Sequence, residues 1–182
     1  MIIWYNPILE SLEGLSNIDS IYGLTIWYNN KLETIEPLSK ISGDIRSHLD
    51  ISFNESLTSI SALSGVTSVH GNIYLEGNPR LLNLLGLGNF SRAKNLFVWD
   101  NIKLDSLDGL ERIIDLESDL SIIDNPNLSN CVSISLLLGW PKGPPGDGVQ
   151  GKIILHNNGP TCNSIGDILS LAPYKGVEEI RL

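Results

Sequence analysis

Two aspartates in matching settings have the clearest capacity for chemistry in this 182-residue chain: Asp100 in VWDN and Asp124 in IIDN, 24 positions apart. If those segments lie side by side as neighbouring strands, their carboxylates fall roughly 5 Å apart, the separation at which a retaining glycosidase sets its two acids. The plainer reading of such a pair is two turn aspartates that are solvated or touch calcium. His48, His70 and His156 sit at different places in the surrounding pattern, which argues against a Ser-His-Asp triad or a histidine metal cluster. Cys131 and Cys162 have neither CxxC spacing nor a nearby histidine pair, which argues against zinc. The glycines form no GxxxxGK[ST] loop and no strand-linked GxGxxG, so a phosphate cradle is not expected. The expectation is a chain with no catalytic residue, no metal and no cofactor.

The elements that would position these residues are written as an internal repeat. MIIWYN, LTIWYN, LDISFN, IYLEGN, LFVWDN, LSIIDN and IILHNN end in Asn6, Asn29, Asn54, Asn78, Asn101, Asn125 and Asn158. The first six asparagines are 23, 25, 24, 23 and 24 residues apart, and the last step is 33, so one coil carries an insertion. Before each asparagine apolar residues alternate with period 2, which makes Leu24 and Ile26 one face of a short strand and Thr25 and Trp27 the other. After it they return every third position, as in Leu32, Ile35, Leu38 and Ile41. Period 3 fits neither a long helix nor a strand; it suits a chain turning corners with one residue per short side pointing inward. The pattern predicts a mainly β, right-handed β-solenoid of about seven coils. Its strands would stack about 4.8 Å apart in parallel, each coil burying its inner face against its neighbours. The whole chain, 1–182, reads as one domain.

In such a stack the asparagines form a structural ladder, their amides tolerating left-handed backbone and satisfying turn groups that would otherwise be buried unpaired. Gly14, Gly65, Gly86 and Gly109 fall in corners where backbone freedom matters. The outward strand positions include Trp4, Trp27, Tyr74, Phe97 and Trp99. Exposed rings lower solubility yet offer flat contact to sugars or proteins. The alternative is that they only stack between coils, as Trp4 and Trp27 would at one coil's distance. Tyr28, at the strand's edge, is compatible with either face.

The unit LTIWYNNKLETIEPLSKISG resembles leucine-rich repeats, and more closely the leucine-rich-like β-helix of receptor L domains. The shared features are L-x-I-x-x-N-x-x-L and a glycine before the next strand, as in Ile41 to Gly43 and Val69 to Gly71. The asparagine-to-leucine spacing is N-x-x-L rather than the N-x-L of ordinary leucine-rich repeats, which favours the receptor-type analogy. The resemblance runs from Ile2 to about Ile168 and implies a fold rather than a ligand: in those relatives the sheet face and adjoining loops recognise proteins or glycans, and the shared motif residues are not catalytic.

Charge and length narrow the partners. With 12 Lys+Arg against 21 Asp+Glu the net charge is -9, which repels nucleic acid and anionic membrane surfaces. No apolar run approaches the roughly 20 residues that span a bilayer, so membrane insertion is not expected. The start MIIWYNP lacks the pattern of a signal peptide, and because it begins directly in a coil the expectation is a fragment of a longer protein or an end that meets another in a homodimer. Cys131 takes the inward place held by Leu107 and Leu84 in other coils, and Cys162 lies one coil on, slightly out of register. Coils one layer apart suit the roughly 5.5 Å Cα spacing of a disulfide. The candidate Cys131–Cys162 bridge would staple the insertion and implies an oxidising, extracellular or cell-surface setting; two buried thiols are the alternative. The NFS and NLS sequons at Asn89 and Asn127 are compatible with secretion, whereas the NES sequon begins at the ladder residue Asn54.

The insertion, 139–151, reads as a loop, with Trp140 beside Pro141 as its anchor. Residues 165–182 read as a capping segment, a short helix followed by a strand. The expected function is a non-catalytic extracellular module that binds a protein or glycan through its sheet face and loops. The alternatives are a polysaccharide-active enzyme using Asp100 and Asp124, and a structural repeat that self-associates through an exposed coil end or its aromatic face.

Overall fold

The structure, a computed structural model, describes residues 1–139 and 146–172. It is mainly β, with parallel sheets and, among the described residues, a single short α-helix. Strands are numbered in chain order. The main sheet contains β1 (Ile2–Trp4), β2 (Leu24–Trp27), β4 (Leu49–Ser52), β6 (Asn72–Glu76), β8 (Asn95–Trp99), β10 (Leu120–Ile123) and β12 (Ile153–His156), hydrogen-bonded in that order and all parallel. Between them the chain adds β3 (Ser42–Ile45) paired with β5 (Gly65–Val69), and a second small sheet of β7 (Arg92–Ala93), β9 (Asp115–Leu116) and β11 (Gly148–Val149).

The register follows the repeat residue for residue. Leu24 pairs with Leu49, Leu49 with Ile73, Ile73 with Leu96, and Leu96 with Leu120. These side chains, and the row of Ile26, Ile51, Leu75, Val98 and Ile122, are at most 1% exposed. The third-position residues after each asparagine, such as Leu57, Ile60, Leu63 and Val66, are equally buried and join the same core. A slip by one residue would turn every apolar strand side chain outward, so the core itself locks the register. Short 3-10 turns, such as Glu36–Leu38 and Ser61–Ser64, carry the chain round the corner where the period is three.

The asparagines act as expected, with one correction. Asn78 Nδ2 donates to Glu76 O of its own pass (3.1 Å) and to Ile51 O of the preceding one (2.8 Å), while Asn78 Oδ1 accepts the backbone N–H of Asn54 (3.2 Å). Asn29, Asn54, Asn101 and Asn125 repeat that arrangement and are fully buried. Asn6 is exposed at one end of the row, and Asn158 at the other is half-buried and accepts the backbone N–H of Asn125. The left-handed backbone, however, lies one residue earlier. Tyr5, Tyr28, Phe53, Asp100, Asp124 and Asn157 have φ between 53° and 58°, and Gly77 has φ 62°. The chain must turn away from the strand before the amide can swing back beneath it.

The corner glycines divide. Gly109 has φ 109°, so it meets the conformational expectation. Gly86 is needed for space: a Cβ there would stand 1.8 Å from Ile60 O. Gly14 has open space and no positive φ, and the structure gives it no special role.

Cys131 and Cys162 are disulfide-bonded, with a Cα–Cα distance of 5.9 Å. The insertion is not wholly loop, because Gly148–Val149 adds β11 to the small sheet. Trp140 and Pro141 lie outside the described residues. The helix, α1 (Ile165–Leu171), is capped by Ser164 Oγ, which accepts the Asp167 N–H at 3.1 Å, and buries Ile168. The strand expected after it falls at 173–182, outside the described residues.

Candidate functional site

The outward face of the main sheet is built from two rows of strand residues and the left-handed residue that follows them. One row runs Ile2, Thr25, Asp50, Tyr74, Phe97, Ser121 and Ile154; the other runs Trp4, Trp27, Ser52, Glu76, Trp99, Ile123 and His156. All five candidate aromatics therefore share one face. Trp4 is 59% exposed, and Trp27, Tyr74, Phe97 and Trp99 are half-buried.

The rings fall into two groups. Trp4 stacks on Trp27 at 6.2 Å between centroids, Trp27 meets Tyr28 and Phe53, and Tyr28 stacks on Phe53 at 4.9 Å. In the second group Tyr74 stacks on Phe97 at 5.0 Å and Phe97 meets Trp99 at 4.9 Å. Inter-strand stacking is thus present, as the packing reading requires, but it leaves ring faces and edges in solvent. Tyr28 keeps 39% exposure because its left-handed backbone directs it to the rim of the face.

Hydrogen bonds hold several of these groups. Trp99 Nε1 donates to Ser121 Oγ at 2.8 Å, and Asn72 Nδ2 donates to Tyr74 Oη at 2.7 Å. Trp27 Nε1 is buried with no hydrogen-bond partner among the described residues, a polar group left unsatisfied beneath the first aromatic group. Gly77 makes room for the neighbouring ring, since a Cβ there would stand 2.6 Å from a ring carbon of Phe53.

Between the two aromatic groups lies β4, which presents Asp50 and Ser52 outward, and beyond it Glu76 and Asp100. Burial raises the Asp50 carboxyl above its ordinary value, against the hydrogen bond donated by Ser52 Oγ and the charge of His48. Burial likewise raises Glu76, and the charges of Asp50 and Asp100 raise it further. The structure therefore groups Asp100 with Glu76 and Asp50. Asp124 is engaged differently: its Oδ1 accepts a hydrogen bond from Asn157 Nδ2 at 2.9 Å.

A second polar row was not anticipated. From β4 to β12, the residue just before the first inward apolar residue takes part in it: Asn72 N–H donates to His48 Nδ1 (3.0 Å), Asn95 Nδ2 to Asn72 Oδ1 (2.9 Å), Asp119 N–H to Asn95 Oδ1 (2.7 Å) and Lys152 N–H to Asp119 Oδ1 (2.8 Å). The signal was available, because every residue preceding Leu49, Ile73, Leu96, Leu120 and Ile153 is polar. From β4 to β12 the strands therefore carry a polar row at each end.

Among the described residues no group of three or more His, Cys, Asp or Glu side chains is arranged to hold a metal ion, and no helix is long and apolar enough to cross a membrane. No protein-family model, curated protein or solved structure matches the chain.

Proposed function

We propose that the chain is a non-catalytic recognition module, a right-handed β-solenoid of receptor L-domain type that engages a protein or glycan through the outward face of its main sheet. The observation that carries this reading is the half-open aromatic surface of Trp4, Trp27, Tyr74, Phe97 and Trp99, placed on a sheet whose inner face is a buried apolar core. Rigid aromatic side chains lose little entropy on binding and give a large contact area. The solenoid reading is supported by strands that re-enter one parallel sheet in constant register, 23 to 25 residues apart in the first five steps and 33 in the last. The disulfide is compatible with an extracellular or cell-surface setting.

The test is an array of glycans and proteins probed with the wild-type chain and with Trp27→Ala and Trp99→Ala. Binding lost in both variants, with thermal unfolding still cooperative, is the expected result. Unchanged binding removes the aromatic face from the reading. Polysaccharide turnover that disappears in Asp100→Asn or Asp124→Asn would replace recognition with catalysis. Concentration-dependent oligomers with no other ligand would replace it with self-association.

A further inference from the structure

The face carries a charge pattern that selects among occupants. Asp50 lies on β4, Glu76 on β6 and Asp100 directly after β8, each one strand across and one or two residues further along, so they trace a diagonal over the sheet. At strand spacings of about 4.8 Å and a rise of about 3.3 Å per residue, the diagonal is about 14 Å long. The Trp27–Phe53 pair stands on one side of it and the Phe97–Trp99 pair on the other. No lysine or arginine occupies either outward row or the left-handed row beside them. Lys31, Arg80 and Lys103 belong to the turns two residues beyond the ladder asparagines.

We propose that this face binds a basic segment of a protein partner in extended conformation, with its Lys or Arg side chains laid along the Asp50–Glu76–Asp100 diagonal between the two aromatic walls. The inference rests on the recognition reading and names its partner chemistry. Charge complementarity carries it: three carboxylates with no cation in the rows repel one another, and an ammonium or guanidinium group relieves that repulsion while its flat or alkyl part rests against indole and phenyl rings. Burial raises the Glu76 carboxyl first, and the charges of Asp50 and Asp100 raise it further. The length fits as well. Alternate side chains of an extended peptide are about 6.6 Å apart, so residues i, i+2 and i+4 span about 13 Å.

The experiment titrates the isotope-labelled protein with a blocked Gly-Arg-Gly-Arg-Gly-Arg-Gly peptide, with the same peptide carrying neutral citrulline at each arginine, and with neutral cello- and chito-oligosaccharides, following backbone amide shifts. The expected result is saturable binding of the arginine peptide, about tenfold tighter than the citrulline form and weakened by salt, with shifts centred on β4, β6 and β8. Glu76→Gln should weaken it about fivefold, while Glu10→Gln, which removes a carboxylate paired with Lys31 away from the face, leaves it unchanged. Asp100→Asn is a second variant that keeps the fold, because asparagine tolerates the left-handed φ of 53°. Equal binding of the arginine and citrulline peptides, or full affinity in both Glu76→Gln and Asp100→Asn, overturns the proposal. If neither peptide binds but an oligosaccharide does, and Trp27→Ala abolishes it, the basic partner is overturned while recognition by the face stands. If no peptide binds and the array of proteins and glycans is also silent, both fail together.

Discussion

The asparagine row and the outward aromatic face border the same strands, yet they obey different rules. Along the row, five successive asparagines are fully buried and make the same set of hydrogen bonds, so each position admits one solution. Across the face, equivalent positions hold Thr25, Asp50, Tyr74, Phe97 and Ser121, which share neither size nor charge. Repetition marks what the backbone needs from every pass. Departure from repetition marks what one surface does that the others do not.

The sharpest way to break this contrast is in the middle of the row. Asn78→Ala removes the two bonds it donates to Glu76 O and Ile51 O and leaves the buried Asn54 N–H without its acceptor, which should cost about 3 kcal/mol, whereas Asn6→Ala at the exposed end should cost under about 1 kcal/mol. Chemical denaturation of the two variants checks the difference, and equal losses would show that the row is not a ladder of buried bonds. Similar in size is the disulfide. Replacing Cys131 and Cys162 by alanine opens a loop with a sequence separation of 31. The chain-entropy model gives a loss of about 3 to 4 kcal/mol, read as a lower melting temperature. On the face, Trp27→Ala should lower stability by about 2 kcal/mol, since Trp4, Tyr28 and Phe53 cover much of the ring, while removing ligand binding. A stability loss as large as that of Asn78→Ala would return Trp27 to a packing role.

The smallest effect has the most informative sign. Asp50 and Glu76 have carboxyls raised in the folded state, so the folded chain holds protons more tightly than the unfolded one. Their ionised forms therefore reduce stability at neutral pH, and acidification through their raised folded values toward the ordinary 3.8 and 4.5 should return it. Asp44 has the opposite sign: hydrogen bonds from Ser68 and Thr67 hold its carboxyl down, so its contribution is present above the ordinary aspartate value of 3.8 and fades as pH falls through its lowered folded value. Thermal melts should show Asp50→Asn and Glu76→Gln slightly more stable than wild type near pH 7, with the gain shrinking on acidification. Variants less stable at pH 7 would mean these carboxylates hold the sheet together.

The same division explains what could be read from residues alone. Buried positions such as Leu49, Ile51, Leu57 and Ile60 recur because the interior accepts only apolar side chains at periods of two and then three, and that periodicity survives in one dimension. The outward aromatics were legible for the same reason, as the other phase of the strand. The acidic diagonal was not, because Asp50, Glu76 and Asp100 occupy three different places in the repeat and meet only when the passes are laid side by side. Alignment by repeat position brings Asp100 beside Asp124, which directly follow the register partners Trp99 and Ile123, but it overlooks carboxylates at different repeat positions. The second polar row escaped notice because it opens the strand, where the alternating apolar pattern draws the eye forward rather than back.

The bond between Cys131 and Cys162 has a further consequence, in connectivity. It joins the chain on either side of the insertion, so a protease that cuts anywhere from 132 to 161 yields two polypeptides but still one molecule. Such a nick would pass unseen on a non-reducing gel and split the band only when a reductant is added. The last strand of the sheet and the helix behind it would stay tethered to the passes they cover.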